Sequence, residues 1–188
     1  MKQSLETTSK VSLPIKRYTI DKYILEALKH LYPKGAICDL GCGDGDRVIS
    51  LCKELNVKGY GFDFSQKAIV SAIRQAKKHP EVSSCFIADD ISDIKEEWPE
   101  VEVLIQTLTM LRLSLNKNYV KIFENYKRNF PNMKYFLVFD MIASKTHSAL
   151  NELLKSSHYE FYQETTFPLS NSRLWIFKNK NFQDNCLR

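Results

Sequence analysis

The chain is predicted to be a doubly wound α/β protein: a mostly parallel seven-stranded sheet with helices on both faces and a C-terminal antiparallel strand hairpin. Three observations predict it. Apolar runs of strand length alternate with segments of helical period. A glycine-rich turn sits where the first such run opens into a helix. The C-terminal part then abandons the alternation for two strand-like runs around a turn. With 188 residues, 44% of them hydrophobic and 26% charged, one domain can bury a core without disulfides or a structural metal.

The elements follow in order. Ile20, Ile24, Ala27, Leu28 and Leu31 recur at helical spacing, so a helix spans Ile20 to Leu31 and ends at Pro33-Lys34-Gly35. Ala36 to Leu40 is an apolar strand. Val48, Ile49, Leu51, Cys52 and Leu55 line one helix face, and Val57 to Phe62 is a second buried strand closing on Asp63. Ser65 caps a helix to Lys78, with Ala68, Ile69, Ala72, Ile73 and Ala76 on one side, and His79-Pro80 stops it. Ser84 to Ala88 is strand three, Asp93 to Trp98 a short helix, and Val101 to Gln106 strand four. Asn118 to Phe130 is helical, Lys134 to Phe139 is strand five ahead of Asp140, and Ser144 to Leu154 is helical. Tyr159 to Phe167 and Arg173 to Phe177 flank Pro168-Leu169-Ser170-Asn171 as the closing hairpin.

Charge and cysteines narrow the partners. The net charge is +5, yet no run of Lys or Arg exceeds two, which argues against a nucleic-acid partner. No stretch reaches the roughly 18 apolar residues of a membrane span. Residues Met1 to Lys10 lack the apolar core of a secretory leader, so the expected location is cytoplasmic. Cys38, Cys42, Cys52, Cys85 and Cys186 form no C-x-x-C and no zinc spacing, and read as reduced thiols with no metal site.

The chemistry sits in Asp39-Leu40-Gly41-Cys42-Gly43-Asp44-Gly45, at a strand-to-helix turn. Glycines let the backbone turn sharply and let a ligand approach where a Cβ would collide. A dinucleotide fingerprint requires G-x-G-x-x-G, and this chain has Asp46 in place of the third glycine. Asp39 and Asp44 would repel a pyrophosphate. A ligand carrying an ammonium and a sulfonium suits them better.

This segment resembles motif I of the class I S-adenosylmethionine-dependent methyltransferases, and the strand count and closing hairpin extend the resemblance over nearly the whole chain. It implies a Rossmann-like fold whose final strand is reversed and inserted between its neighbours. It also implies S-adenosyl-L-methionine as cofactor, contacted around Asp39, Gly41, Cys42, Gly43 and Gly45. Asp63, about 20 residues beyond the loop, would accept the ribose hydroxyls, with Phe64 beside it; by itself it also reads as an acid at a helix N-terminus. After strand three the family places an acid at the adenine amino group, here Asp90, with Ile91 on the adenine face. Gln106, ending strand four, would meet the amino or carboxylate group of the methionine end. The Asn/Asp-Pro-Pro-Tyr/Phe signature of exocyclic-amine and glutamine methylation is absent. Residues 1–19 would form a lid, 20–180 the catalytic domain and 181–188 a tail. Tyr18, expected just ahead of the first helix, would cover the cofactor or staple that helix.

Methyl transfer to an O, N or S atom of a small molecule is the expected function. The core elements nearly exhaust the chain, leaving short loops to build the acceptor pocket. An RNA or protein methyltransferase is one alternative. A protein that binds the cofactor without methylating, for regulation, cyclisation or aminocarboxypropyl transfer, is another. Asp140 and His147 are the candidate general bases, each also readable as an ordinary helix-approach acid or surface histidine.

Overall fold

Strands β1 (Ala36–Leu40), β2 (Gly59–Asp63), β3 (Ser84–Ala88), β4 (Val101–Thr107) and β5 (Tyr135–Met141) run parallel. With β6 (Tyr159–Phe167) and β7 (Ser172–Asn179) they form one sheet in the order β3-β2-β1-β4-β5-β7-β6. The helices are α1 (Arg17–Leu31), α2 (Asp46–Leu55), α3 (Gln66–Ala76) and α4 (Tyr119–Asn129). This is a computed structural model, and it describes residues 17–108, 119–141, 148, 150, 151, 154, 155, 159–167 and 171–182. β7 runs antiparallel to both neighbours and lies between β5 and β6, the reversed, inserted strand expected of the hairpin.

Every residue of β1 is buried, which is why it reads as a continuous apolar run rather than an alternating one: helices cover both faces. Ile37, Val103, Ile105, Leu137 and Phe139 pack one face against Ile20, Ile24 and Leu28 of α1 and against buried residues of α2 and α3. Leu40, Phe62, Leu104, Phe136 and Trp175 pack the other against Ile122, Phe123 and Tyr126 of α4. At the edges burial lapses. Only Phe86 of β3 is buried, and β6 is exposed along most of its length.

Several expected bounds shift, β2 beginning at Gly59 rather than Val57 and α3 ending at Ala76 rather than Lys78, and two differences go further. α1 begins at Arg17, because no breaker lies between Arg17 and Ile20, so Tyr18 sits within the first turn rather than ahead of the helix. Residues Asp93–Trp98 form no helix. Ile94, fully buried, gives its N–H to Asn125 Oδ1 at 3.1 Å and accepts at its carbonyl from the side-chain amides of Asn125 and Asn129. The Trp98 N–H goes to the Asn129 carbonyl at 2.6 Å. The backbone groups a helix would use are taken by α4. Of the helix expected over Ser144–Leu154, residues 148, 150, 151 and 154 are described and helical, as is 155 beyond its expected end. Ser65 caps α3 as expected, its Oγ accepting from the Ala68 N–H.

Candidate functional site

The carboxyl ends of β1 to β5 bring Asp39, the 41–45 loop, Asp63, Phe64, Asp90, Gln106 and Asp140 to one edge of the sheet. Gly41, Gly43 and Gly45 have φ of 89°, 58° and 79°, the left-handed region that side chains rarely adopt. The loop is tied down from within. Gly41 and Cys42 both donate to the Phe62 carbonyl (2.7 and 2.9 Å), and Gly45 donates to the Cys42 carbonyl at 3.1 Å. Gly43 donates to Asp63 Oδ2 at 2.9 Å. These N–H groups are therefore consumed inside the protein rather than aimed outward at a phosphate, the arrangement a dinucleotide would require.

The glycines differ in what surrounds them. A Cβ on Gly45 would sit 2.6 Å from the Phe86 ring and 2.8 Å from Ala72, so this glycine permits α2 to pack against β3 and α3. A Cβ on Gly43 would meet nothing within 4 Å among the described residues. Gly43 marks the open side of the loop. Cys42 turns its thiol inward, 4% exposed, and offers only backbone to a ligand. Burial pushes the Cys38 and Cys42 thiols well up, and the Cys52 thiol up to about 12, so all three stay protonated, as expected of core cysteines. Cys85 is exposed, and Cys186 lies outside the described residues.

Asp63 ends β2 with each carboxylate oxygen accepting one backbone N–H, from Gly43 and from Ser65, both at 2.9 Å. A carboxylate has about four acceptor positions, so two hydroxyls can still be taken. Phe64, next in the chain, leaves 77% of its surface exposed. After β3, Asp90 accepts from Ser92 N at 2.9 Å and Ser92 Oγ at 2.7 Å, and Ile91 is half-buried against the core on the α4 side. Gln106 is fully buried on that same side, where it influences the Tyr126 hydroxyl; burial pushes the pKa of that hydroxyl up, with Cys38 and Asp90 adding to the rise. Asp140 is 1% exposed and accepts the Met141 N–H at 2.7 Å. His147 and the side chain of Tyr18 lie outside the described residues. Among the described residues no Cys, His, Asp and Glu cluster could hold a metal ion, and no helix is long and apolar enough to cross a membrane.

The sequence reading passed over Arg47. Its guanidinium, buried in the first turn of α2, donates to Asp39 Oδ2 (3.2 Å), Thr107 Oγ1 (2.5 Å) and Asp21 Oδ1 (2.6 Å). A signal was present: Arg47 is the charged member of an otherwise apolar helix face shared with Val48, Leu51 and Cys52, and such a charge needs a buried acid.

A family profile described as "Methyltransferase domain" matches residues 32–181. The chain belongs to the class I S-adenosylmethionine-dependent methyltransferases. Among curated proteins this methyltransferase is 27% identical over 128 residues to an indolepyruvate C-methyltransferase of Streptomyces griseus, covering 67% of the chain and 39% of the relative. It thus spans about two-fifths of that protein's length. Its fold is similar to a SAM-dependent methyltransferase from Aquifex aeolicus (TM-score 0.67, 14% identity, covering 87% of this chain and 93% of that one). It is also similar to the magnesium protoporphyrin IX methyltransferase of Synechocystis, solved with bound SAM (TM-score 0.66, 13% identity, 86% and 78% covered). The family's cofactor is S-adenosyl-L-methionine, and the residues present fit it: an open face at Gly43, a carboxylate with spare acceptor positions at Asp63, and a bare aromatic at Phe64.

Proposed function

We propose that the chain transfers the methyl group of S-adenosyl-L-methionine to a small-molecule acceptor at the carboxyl ends of β4 and β5. The observation that carries this reading is the loop itself, whose N–H groups turn inward while Gly43 leaves its outer face open beside Asp63. In this reading Gly41, Cys42 and Gly43 offer backbone to the cofactor, Asp63 accepts the ribose hydroxyls, and Phe64 and Ile91 flank the adenine. Asp90 meets the adenine amino group, and Gln106 lies under the methionine end. Gly45 acts through packing. Residues 1–19, whose last three form the start of α1, serve as a lid over the 20–180 domain.

The bound cofactor supplies an electrophilic methyl group on a sulfonium, so the protein's own work is to orient and dry the acceptor. Orientation alone can contribute on the order of 7 kcal/mol or more. Leu108, just past β4, and Met141, the last residue of β5, are 48% and 43% exposed, an apolar rim suited to an apolar acceptor.

The acceptor atom has two readings. An O, N or S nucleophile is one; the Streptomyces relative, a C-methyltransferase by name, favours an acidic carbon next to a carbonyl as the second. A carbon acceptor must lose a proton, and in this second reading Asp140, buried at the end of β5, takes it. The test is product analysis with labelled cofactor and a panel of aryl-pyruvates, phenols and amines. Formation of S-adenosylhomocysteine with one acceptor class supports methyl transfer, and NMR of the product assigns the atom. Methylthioadenosine as the sole nucleoside product would overturn it.

A further inference from the structure

The chain leaves β1 toward β2 and β3 on one side, and returns to β4 and β5 on the other. The crevice between the ends of β1 and β4 is therefore the switch point where sheets of this kind take ligands. Arg47 spans that crevice from the α1 side. It is rooted two residues past Gly45, bonds Asp39 of β1 and the last residue of β4, Thr107, through one terminal nitrogen, and reaches Asp21 of α1 through Nε. Burial opposes its charge, but Asp39 and Asp21 outweigh the burial and raise its pKa. A planar fork of N–H donors serves three elements from one side chain; a lysine ammonium keeps the charge but lacks the fork. A further ion pair joining α1 to α2, Lys29–Glu54 at 3.8 Å, is solvent-exposed and worth little.

We propose that Arg47 is a positioning residue that ties the docking of α1 to the shape of the crevice under the cofactor's amino-acid end. The identity of that cofactor end rests on the function proposed above. Through Arg47, movement of α1 and occupancy of the crevice become one equilibrium. The residue touches neither reactant; it sets where Asp39 and Thr107 stand.

Hydrogen exchange and calorimetry on the full chain test this. Without ligand, Asp21→Asn and Arg47→Gln each speed amide exchange in α1 at least about fivefold while β5 is unchanged. Saturating S-adenosylhomocysteine slows α1 exchange in the wild type and does not in Asp21→Asn. Arg47→Gln weakens S-adenosylhomocysteine about tenfold or more, yet leaves methylthioadenosine, which lacks the amino-acid end, within about twofold. Arg47→Lys restores part of the loss. Equal weakening of both ligands would make Arg47 a mere core residue, and unchanged α1 exchange in Asp21→Asn would sever the tie; either overturns the proposal. Should the wild type bind neither nucleoside, the cofactor reading fails instead, and the ligand-free exchange still decides whether Arg47 holds α1.

Discussion

Gly35 and Gly43 stand at opposite ends of β1 and do opposite work. A Cβ on Gly35 would collide with the Glu102 side chain and lie 2.7 Å from the Glu100 carbonyl, whereas one on Gly43 would meet nothing within 4 Å among the described residues. At the Gly35 end the charges close on one another. Glu102 takes Lys134 at 2.6 Å and the Lys34 N–H at 3.0 Å, and Glu100 takes the Tyr60 hydroxyl and Lys58. At the Gly43 end the loop bonds to β2 behind it, through the Phe62 carbonyl and the Asp63 carboxylate. One glycine makes room for the protein's own side chains. The other, in the proposed reading, keeps room for the cofactor.

That contrast can be broken from either end. The largest effect is expected from Gly43→Val, which puts a branched side chain into the open space. S-adenosylhomocysteine binding should fall at least about 1,000-fold, or roughly 4 kcal/mol, by calorimetry. The left-handed φ adds a stability cost of about 1–2 kcal/mol, small enough for the circular dichroism spectrum to stay folded. Wild-type affinity in this variant would make the loop purely structural. Asp63→Ala comes next. It removes the proposed ribose acceptor and frees the Gly43 N–H, and should cost about 2–4 kcal/mol of affinity, with Asp63→Asn in between. A fall in melting temperature with an unchanged dissociation constant would leave Asp63 a loop tether alone.

At the closed end the consequences move from binding to stability. Gly35→Ala should destabilise by about 1–3 kcal/mol in denaturant titration, through overlap with Glu102 and Glu100, while cofactor affinity holds. A matching loss of affinity would show that the two ends are not independent. The smallest effect belongs to Glu102→Gln, about 0.5–1 kcal/mol. Burial pushes the Glu102 carboxyl up, but Lys134 and the backbone of Gly35 and Lys34 outweigh it and hold its pKa below the ordinary value. The stability it contributes is therefore complete above the ordinary glutamate range and lost as pH falls through the lowered folded-state value. Wild type and Glu102→Gln should differ at neutral pH and converge in acid. A gap that widens in acid would reverse the sign assigned here.

Much of the fold was legible because its signals are local. Strand-length runs buried on both faces are mostly apolar, so Ala36–Leu40 and Val57–Phe62 announce themselves, and Pro131 and His79-Pro80 punctuate the chain wherever they stand. The reading faltered where tertiary contacts capture backbone groups. Asp93–Trp98 has the length and polarity of a short helix, but Asn125 and Asn129 of α4 take the polar groups of Ile94 that such a helix would need. No pattern within six residues can disclose a partner about thirty positions away.

The site divides the same way. The 41–45 turn was legible because a tight turn at the end of a buried strand demands left-handed glycines, and their spacing is a chain-local property. Which glycine is packed against was not, since Gly43 and Gly45 look alike in sequence and differ in whether Phe86 and Ala72 stand against them. Nor did the sequence reveal that Asp63 already holds Gly43, or that Arg47 gathers Asp21, Asp39 and Thr107. Sequence by itself determined the turn, the family and the order of elements, which depend on residue type and spacing. Only the tertiary structure decided what each polar group faces, because hydrogen-bond partners and empty space are set by chains that meet in three dimensions.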